Sequence, residues 1–134
     1  MPPKVRNPND PQEWLRRARS NLARARLKAD PDIVLEDLCA DAQQAAEKAI
    51  KAVFVHLKIR FPRTHDILEL LTLLRSHSVD IPEELLAGDE LTGYALDTRY
   101  PGWIEDTTDE EHERALCLAE RSLAWATAVI NKSK

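Results

Sequence analysis

The chain has 134 residues with 43% hydrophobic and 31% charged side chains, and a net charge of -4. That length gives one domain with a real core. It holds only two cysteines, which excludes a disulfide scaffold, and no apolar run approaches the ~20 residues that span a bilayer. The start, MPPKVRNPNDPQEW, has no apolar centre, so it is not a signal peptide, and a cytoplasmic protein is expected.

Leucine, alanine, arginine and glutamate dominate, glycine occurs three times, and no stretch alternates apolar with polar. An all-helical domain follows. Residues 1–10, with Pro2, Pro3 and Pro8, read as a loose arm ahead of one helical domain over 11–134. Asp10 can cap the first helix, with Pro11 at its first position and Glu13 reaching back. Trp14, Ala18, Leu22 and Ala25 carry its apolar spacing to about residue 28.

The second helix is expected over about 33–58. Leu35, Leu38, Cys39, Ala42, Ala45, Ala46, Ala49, Val53 and Leu57 form its stripe, with Asp41, Gln44, Glu47, Lys48 and Lys51 on the other side. Phe61-Pro62 ends it, since the residue before a proline is pushed out of the helical region. Thr64 caps a third helix bearing Ile67, Leu70, Leu71 and Leu74. Asp80 and Pro82 open a short segment, broken at Gly88 and resuming through Leu91, Tyr94 and Ala95, before a bend at DTRYPGW. Thr108 and Glu111 form a capping box for the last helix, with Leu116, Ala119, Leu123, Ala126 and Ile130 facing inward. The sum is an up-and-down bundle of four main helices plus a short broken helical segment. Both thiols, Cys39 and Cys117, fall on predicted apolar faces and are expected reduced and buried.

The net charge hides an asymmetry. Residues 1–65 carry 13 Lys/Arg against 8 Asp/Glu, whereas residues 66–134 carry 6 against 15. Five basic residues and no acid lie between Lys48 and His65. Such runs are commonly solvated helix faces, yet a local basic patch matters more than net charge to a phosphate-bearing partner.

The junction HLKIRFPRTHDILELL carries the chemistry. A Thr64 cap would place His65 in the first turn of the third helix, where unpaired amides attract phosphate. Arginine holds a phosphate through two oxygens, and histidine moves a proton near neutrality. Arg60 and His65 could therefore hold and cleave a phosphodiester without a metal or other cofactor. A histidine that only caps its helix explains the same residues. His112, in DEEHERA, lacks the order of a zinc helix and reads as part of a solvated acidic face. His56 and His77 have no spaced metal-ligating partners.

Taken together, DAQQAAEKAIKAVFVHL, PRTHDILELL and YALDTRYPG resemble the small prokaryotic HEPN domain over residues 14–130. The resemblance implies a helical bundle that forms homodimers. It also implies, as in many catalytic members, a toxin-like or defence-associated metal-independent endoribonuclease whose Arg-x4-6-His motif lies in a cleft shared by two protomers. That motif maps onto Arg60 and His65. His65 would assist attack by the ribose 2'-hydroxyl or protonate the leaving 5'-oxygen, and Arg60 would stabilise the transition-state charge. Arg63, Lys51 and Lys58 would position RNA phosphates. Two positions depart from the family pattern: Phe61 follows the arginine where catalytic members usually carry a polar residue, and Ile67 stands where some toxins carry a modified tyrosine. Small members also work beside a minimal nucleotidyltransferase. That implies a second reading, a non-catalytic nucleotide-binding or regulatory module contacted through Lys48 and Tyr100, with IEDTTDEEHE as a docking surface.

Overall fold

The computed structural model describes residues 7–86 and 107–132, and among these it contains helices and no strands. Five helices follow in order: α1 (Pro11–Ala25), α2 (Leu35–Leu57), α3 (Ile67–Ser76), α4 (Glu83–Leu86) and α5 (Asp109–Lys132). The chain folds as the expected all-helical, up-and-down bundle. The broken stretch through Leu91, Tyr94 and Ala95, and the DTRYPGW bend, lie outside the described residues.

The helix starts follow from side-chain caps. Asp10 accepts from the Gln12 amide at 2.9 Å, and Pro11, which has no amide to leave unpaired, takes the first position. Thr108 and Glu111 close the expected capping box, each accepting from the other's amide at 3.1 Å. In the third helix, however, Asp66 and not Thr64 is the cap: its carboxylate accepts from the Glu69 amide at 3.2 Å. Thr64 sits one step further out, accepting from the Asp66 amide and donating to the Glu69 carboxylate. A charged aspartate oxygen meets an unpaired helix amide better than a neutral hydroxyl does, so the helix starts two residues later than expected.

α2 is the hub of the bundle, packed against α1, α3 and α5. Its alanines are the reason. Ala42, Ala45, Ala46, Ala49 and Ala52 are all buried, and they meet Ala18 and Ala25 of α1 and Ala115, Ala119 and Ala126 of α5 in a single core. Side chains this small let axes approach closely. Burial on several sides overturns one expectation: Glu47 and Lys51, assigned to a solvent face, are both buried. Leu57, assigned to the core stripe, is 37% exposed.

α2 ends before Phe61-Pro62. Lys58 adopts a left-handed conformation (φ 59°), and the Ile59 amide donates back to the Phe54 carbonyl at 2.9 Å. This is a Schellman stop, and Ile59 packs back onto the core beyond it.

α3 buries Ile67, Leu70, Leu71 and Leu74 as its spacing predicts. The buried side of α5 is rotated from the expected stripe: His112, Ala115, Leu118, Ala119, Ser122, Ala126 and Ile130 face inward, while Leu116 and Leu123 are half-buried. Two readings change with that rotation. Cys117 is exposed, although Cys39 is buried. His112 leaves the solvated acidic face and is 1% exposed, with Nε2 2.7 Å from the Ala25 carbonyl. That oxygen belongs to the last residue of α1 and has no successor amide within the helix. The imidazole supplies the missing donor.

Candidate functional site at the junction of the second and third helices

The Schellman stop at Lys58 turns the chain sharply out of α2, and the Asp66 cap turns it into α3. Between them, residues 59–65 form a bridge that carries Arg60, Arg63 and His65. His65 lies just outside α3 and not in its first turn. Because Asp66 already places a carboxylate on the α3 amides, that helix end does not supply the phosphate site expected from sequence.

What the bridge meets instead is a polar ladder on α2. Gln43, Glu47 and Lys51 are four residues apart and stack along one side of the helix. The Gln43 amide donates to Glu47 Oε2 at 2.8 Å, and the Lys51 ammonium donates to Glu47 Oε1 at 2.6 Å. His65 Nδ1 lies 3.0 and 3.1 Å from the two carboxylate oxygens. Gln43 also reaches the His65 backbone carbonyl at 3.4 Å. A buried carboxylate survives only when paired and hydrogen-bonded, and Glu47 has a donor from each of three side chains. A carboxylate accepts and cannot donate, so His65 carries its proton on Nδ1, and Nε2 is the acceptor of the neutral ring. The imidazole is 72% exposed while its anchor is 7% exposed. A mobile-looking surface histidine is thus held in one tautomer by a buried acid.

Arg60 and Arg63 line a neighbouring open groove of about 660 Å³ together with Lys58. Its floor is apolar, formed by Phe54, Val55, Ile59 and Phe61, with Asn9 at the margin. Among the described residues no acid lines it and none of the three cations makes an ion pair. Phe61, the departure noted from sequence, connects the two features. Its ring meets Trp14 and Phe54 edge-on, with centroids 5.6 and 5.7 Å away, and the Lys51 ammonium sits 5.2 Å over its centre.

The structure therefore separates the residues singled out from sequence into three groups. Lys58, Arg60 and Arg63 share the groove. His65 and Lys51 share Glu47, and Lys51 faces inward to that carboxylate. Lys48 lies elsewhere, donating to Asn21 Oδ1 at 2.7 Å and bordering a second recess with Trp14 and Arg17. Burial, with Arg17 and Arg24 close by, holds the Lys48 ammonium below the usual lysine value. Tyr100 and residues 104–106 of the acidic segment lie outside the described residues. Sequence reasoning missed Gln43 and Glu47. Their signal was present as three polar residues at four-residue spacing within an alanine-rich helix, but the same pattern also describes a solvated face.

No group of three or more His, Cys, Asp or Glu suited to a metal converges among the described residues. No described helix is long and apolar enough to cross a membrane.

The HEPN domain family model matches residues 11–129, nearly the whole chain, and the chain belongs to that family. The fold is similar to the crystal structure of an archaeal HEPN homologue, with a TM-score of 0.71 and 25% sequence identity, covering 90% of this chain and 97% of that one. No curated protein is significantly similar to the chain in sequence.

Proposed function

We propose that the protein is a toxin-like or defence-associated endoribonuclease that works without a metal, with Arg60 and His65 as its catalytic residues. The observation that carries this reading is the Glu47 carboxylate on His65 Nδ1, beside a groove lined by three cations that have no carboxylate partner among the described residues. An acid that fixes the tautomer aims Nε2 for proton transfer, the arrangement that general acid–base chemistry requires. RNA would lie in the groove with its phosphates on Lys58, Arg60 and Arg63 and a base against the apolar floor. The 2'-hydroxyl oxygen attacks the adjacent phosphorus as His65 Nε2 takes its proton. The bond from phosphorus to the 5'-oxygen then breaks, and that oxygen takes a proton from the protonated imidazole or from water. The products are a 2',3'-cyclic phosphate and a 5'-hydroxyl. Arg60 offsets the charge that gathers on the non-bridging oxygens. Lys51 acts one step back, by holding Glu47. A homodimer would bring the motif from both protomers into one cleft.

The test is cleavage of single-stranded RNA in excess chelator by the wild type, His65→Ala and Arg60→Ala, each checked for native melting. Loss of general acid–base catalysis lowers the rate about 10²–10⁴-fold in the histidine variant. Loss of the arginine costs about 10²–10³-fold. Equal rates in all three would remove the assignment.

The second reading, a nucleotide-binding or regulatory module that partners a minimal nucleotidyltransferase, draws on Lys48. Its half-buried ammonium faces a neutral partner. It predicts no cleavage by any variant, and nucleotide affinity that falls in Lys48→Gln.

A further inference from the structure

The polar ladder on α2 holds one buried atom that the proposed chemistry does not use. Gln43 is 0% exposed, and its Oε1 has no hydrogen-bond partner among the described residues and no access to solvent. A buried carbonyl without a donor costs stability, and native interiors hold few of them. The orientation of the amide explains why this one persists. Its Nε2 faces two acceptors, Glu47 Oε2 at 2.8 Å and, in a longer contact, the His65 carbonyl at 3.4 Å. Turned over, the amide would set an oxygen against both of them, so the donor is fixed on that side and Oε1 is stranded on the other.

Those two bonds act on His65 from both of its ends. A glutamate carboxylate turns easily about its last torsion. Lys51 holds Oε1 at 2.6 Å and Gln43 holds Oε2 at 2.8 Å, so each oxygen is anchored by a different donor. The carboxylate is thereby held with its oxygens at near-equal distances from His65 Nδ1, 3.0 and 3.1 Å. The longer contact ties the backbone of His65, which stands in the bridge outside α3, to the same amide. One buried side chain thus locates both the acid and the residue that bears the imidazole.

We propose that Gln43 is a positioning residue for His65, kept at a cost to stability. It is not among the described residues that line the groove, and it acts only through Glu47 and the bridge. The proposal rests on the reading of His65 as the group that moves the proton. It goes beyond that reading by requiring opposite effects on stability and on reactivity when Gln43 is replaced.

The experiment replaces Gln43 by methionine, which keeps the length of the side chain and removes both the donor and the stranded carbonyl. Three quantities are read on the full chain: the urea midpoint, the tautomer of the neutral His65 ring from its ring-nitrogen NMR shifts, and kcat and KM for RNA cleavage in excess chelator. Gln44→Met, at the exposed neighbouring position, is the control and should change none of them. Gln43→Met should unfold at a urea concentration equal to or above that of the wild type, because the stranded carbonyl is gone and apolar surface replaces it. Its His65 should lose the single Nδ1–H tautomer and share the proton between both nitrogens. kcat should fall about 10–100-fold, the scale on which partners that orient a functional imidazole act, with KM unchanged. Gln43→Leu should behave in the same way. A lower midpoint in both variants would make Gln43 a structural residue and overturn the proposal, as would an unchanged tautomer or an unchanged kcat. Absence of cleavage by the wild type would instead defeat the endoribonuclease reading, and midpoint and tautomer would still decide the role of Gln43.

Discussion

At the scale of single residues, the most informative group is the buried Glu47 carboxylate. It stabilises the fold only as part of a set, because Lys51 is itself 11% exposed and would become an unpaired buried cation without it. Glu47→Ala is therefore expected to cost about 3–5 kcal/mol in urea unfolding. The double variant Glu47→Gln, Lys51→Met should recover much of that loss, because it removes both charges together. A double variant no more stable than the single would show that the carboxylate serves mainly His65. Lys58 offers a second residue-scale test. A lysine held at φ 59° pays a steric cost that glycine avoids, so Lys58→Gly should stabilise the protein by about 1 kcal/mol, or about 4 °C in Tm. The same variant should weaken RNA binding if Lys58 contacts phosphate, which separates its backbone role from its charge.

At the scale of elements, helix ends decide where functional side chains stand. The start of α5 is tied to the start of α2 through Glu36, whose Oε1 accepts from the Thr107 amide at 2.7 Å. That bond holds the Glu36 carboxyl below the usual carboxylate range. A carboxyl whose folded-state proton affinity is depressed contributes stability above its unfolded value, near 4.5. The contribution is lost as pH falls through the lower folded value. Acid unfolding of Glu36→Gln should accordingly show a shallower loss of stability below pH ~4.5 than the wild type. Equal slopes would contradict this role. Thr108→Ala opens the capping box at the same end and should cost about 1 kcal/mol, measured by chemical denaturation.

The same ends show what a sequence can reveal. Asp10 with Pro11, and Thr108 with Glu111, were legible because capping depends on residues within one turn of each other. α3 was legible because its apolar residues lie on one face of a short helix, packed against α2 and α4. α2 was not, because its burial on several sides depends on α1, α3 and α5 together, and nothing local distinguishes Glu47 in a core from Glu47 in water. His112 was missed for a related reason. Its acidic neighbours in sequence suggest solvent, but its phase matches Ala115, Ala119 and Ala126. The spacing of Arg60 and His65 is visible in sequence, whereas the Glu47 carboxylate against His65 Nδ1 became visible only when α2 and the bridge were brought together.

At the scale of the whole molecule, a central alanine-rich helix supports the groove lined by Lys58, Arg60 and Arg63 and a separate recess bordered by Lys48 and Arg17, linked by the Trp14–Phe61 contact. Both use α2 as a rigid base, and both place cations over apolar surface. This arrangement suits phosphate held beside a base and explains how a chain with net charge -4 presents local positive surface. Packing this close leaves little tolerance, so Ala49→Leu, at a fully buried position, should cost about 1–3 kcal/mol or more by overpacking. The proposed mechanism, with a cleft shared by two protomers, requires a dimer, which sedimentation equilibrium would report as twice 15.2 kDa.

The central claim is that Arg60 and His65 direct a 2'-hydroxyl onto phosphorus. The measurement that tests it most directly is the mass of the fragment ends released from a single-stranded RNA in excess chelator, by wild type and His65→Ala in parallel. Fragments ending in a 2',3'-cyclic phosphate, absent with the variant and absent wherever a single 2'-deoxynucleotide replaces the attacking ribose, are the predicted result. Fragments with 3'-hydroxyl and 5'-phosphate ends, or cyclic ends formed equally by the variant, would contradict it.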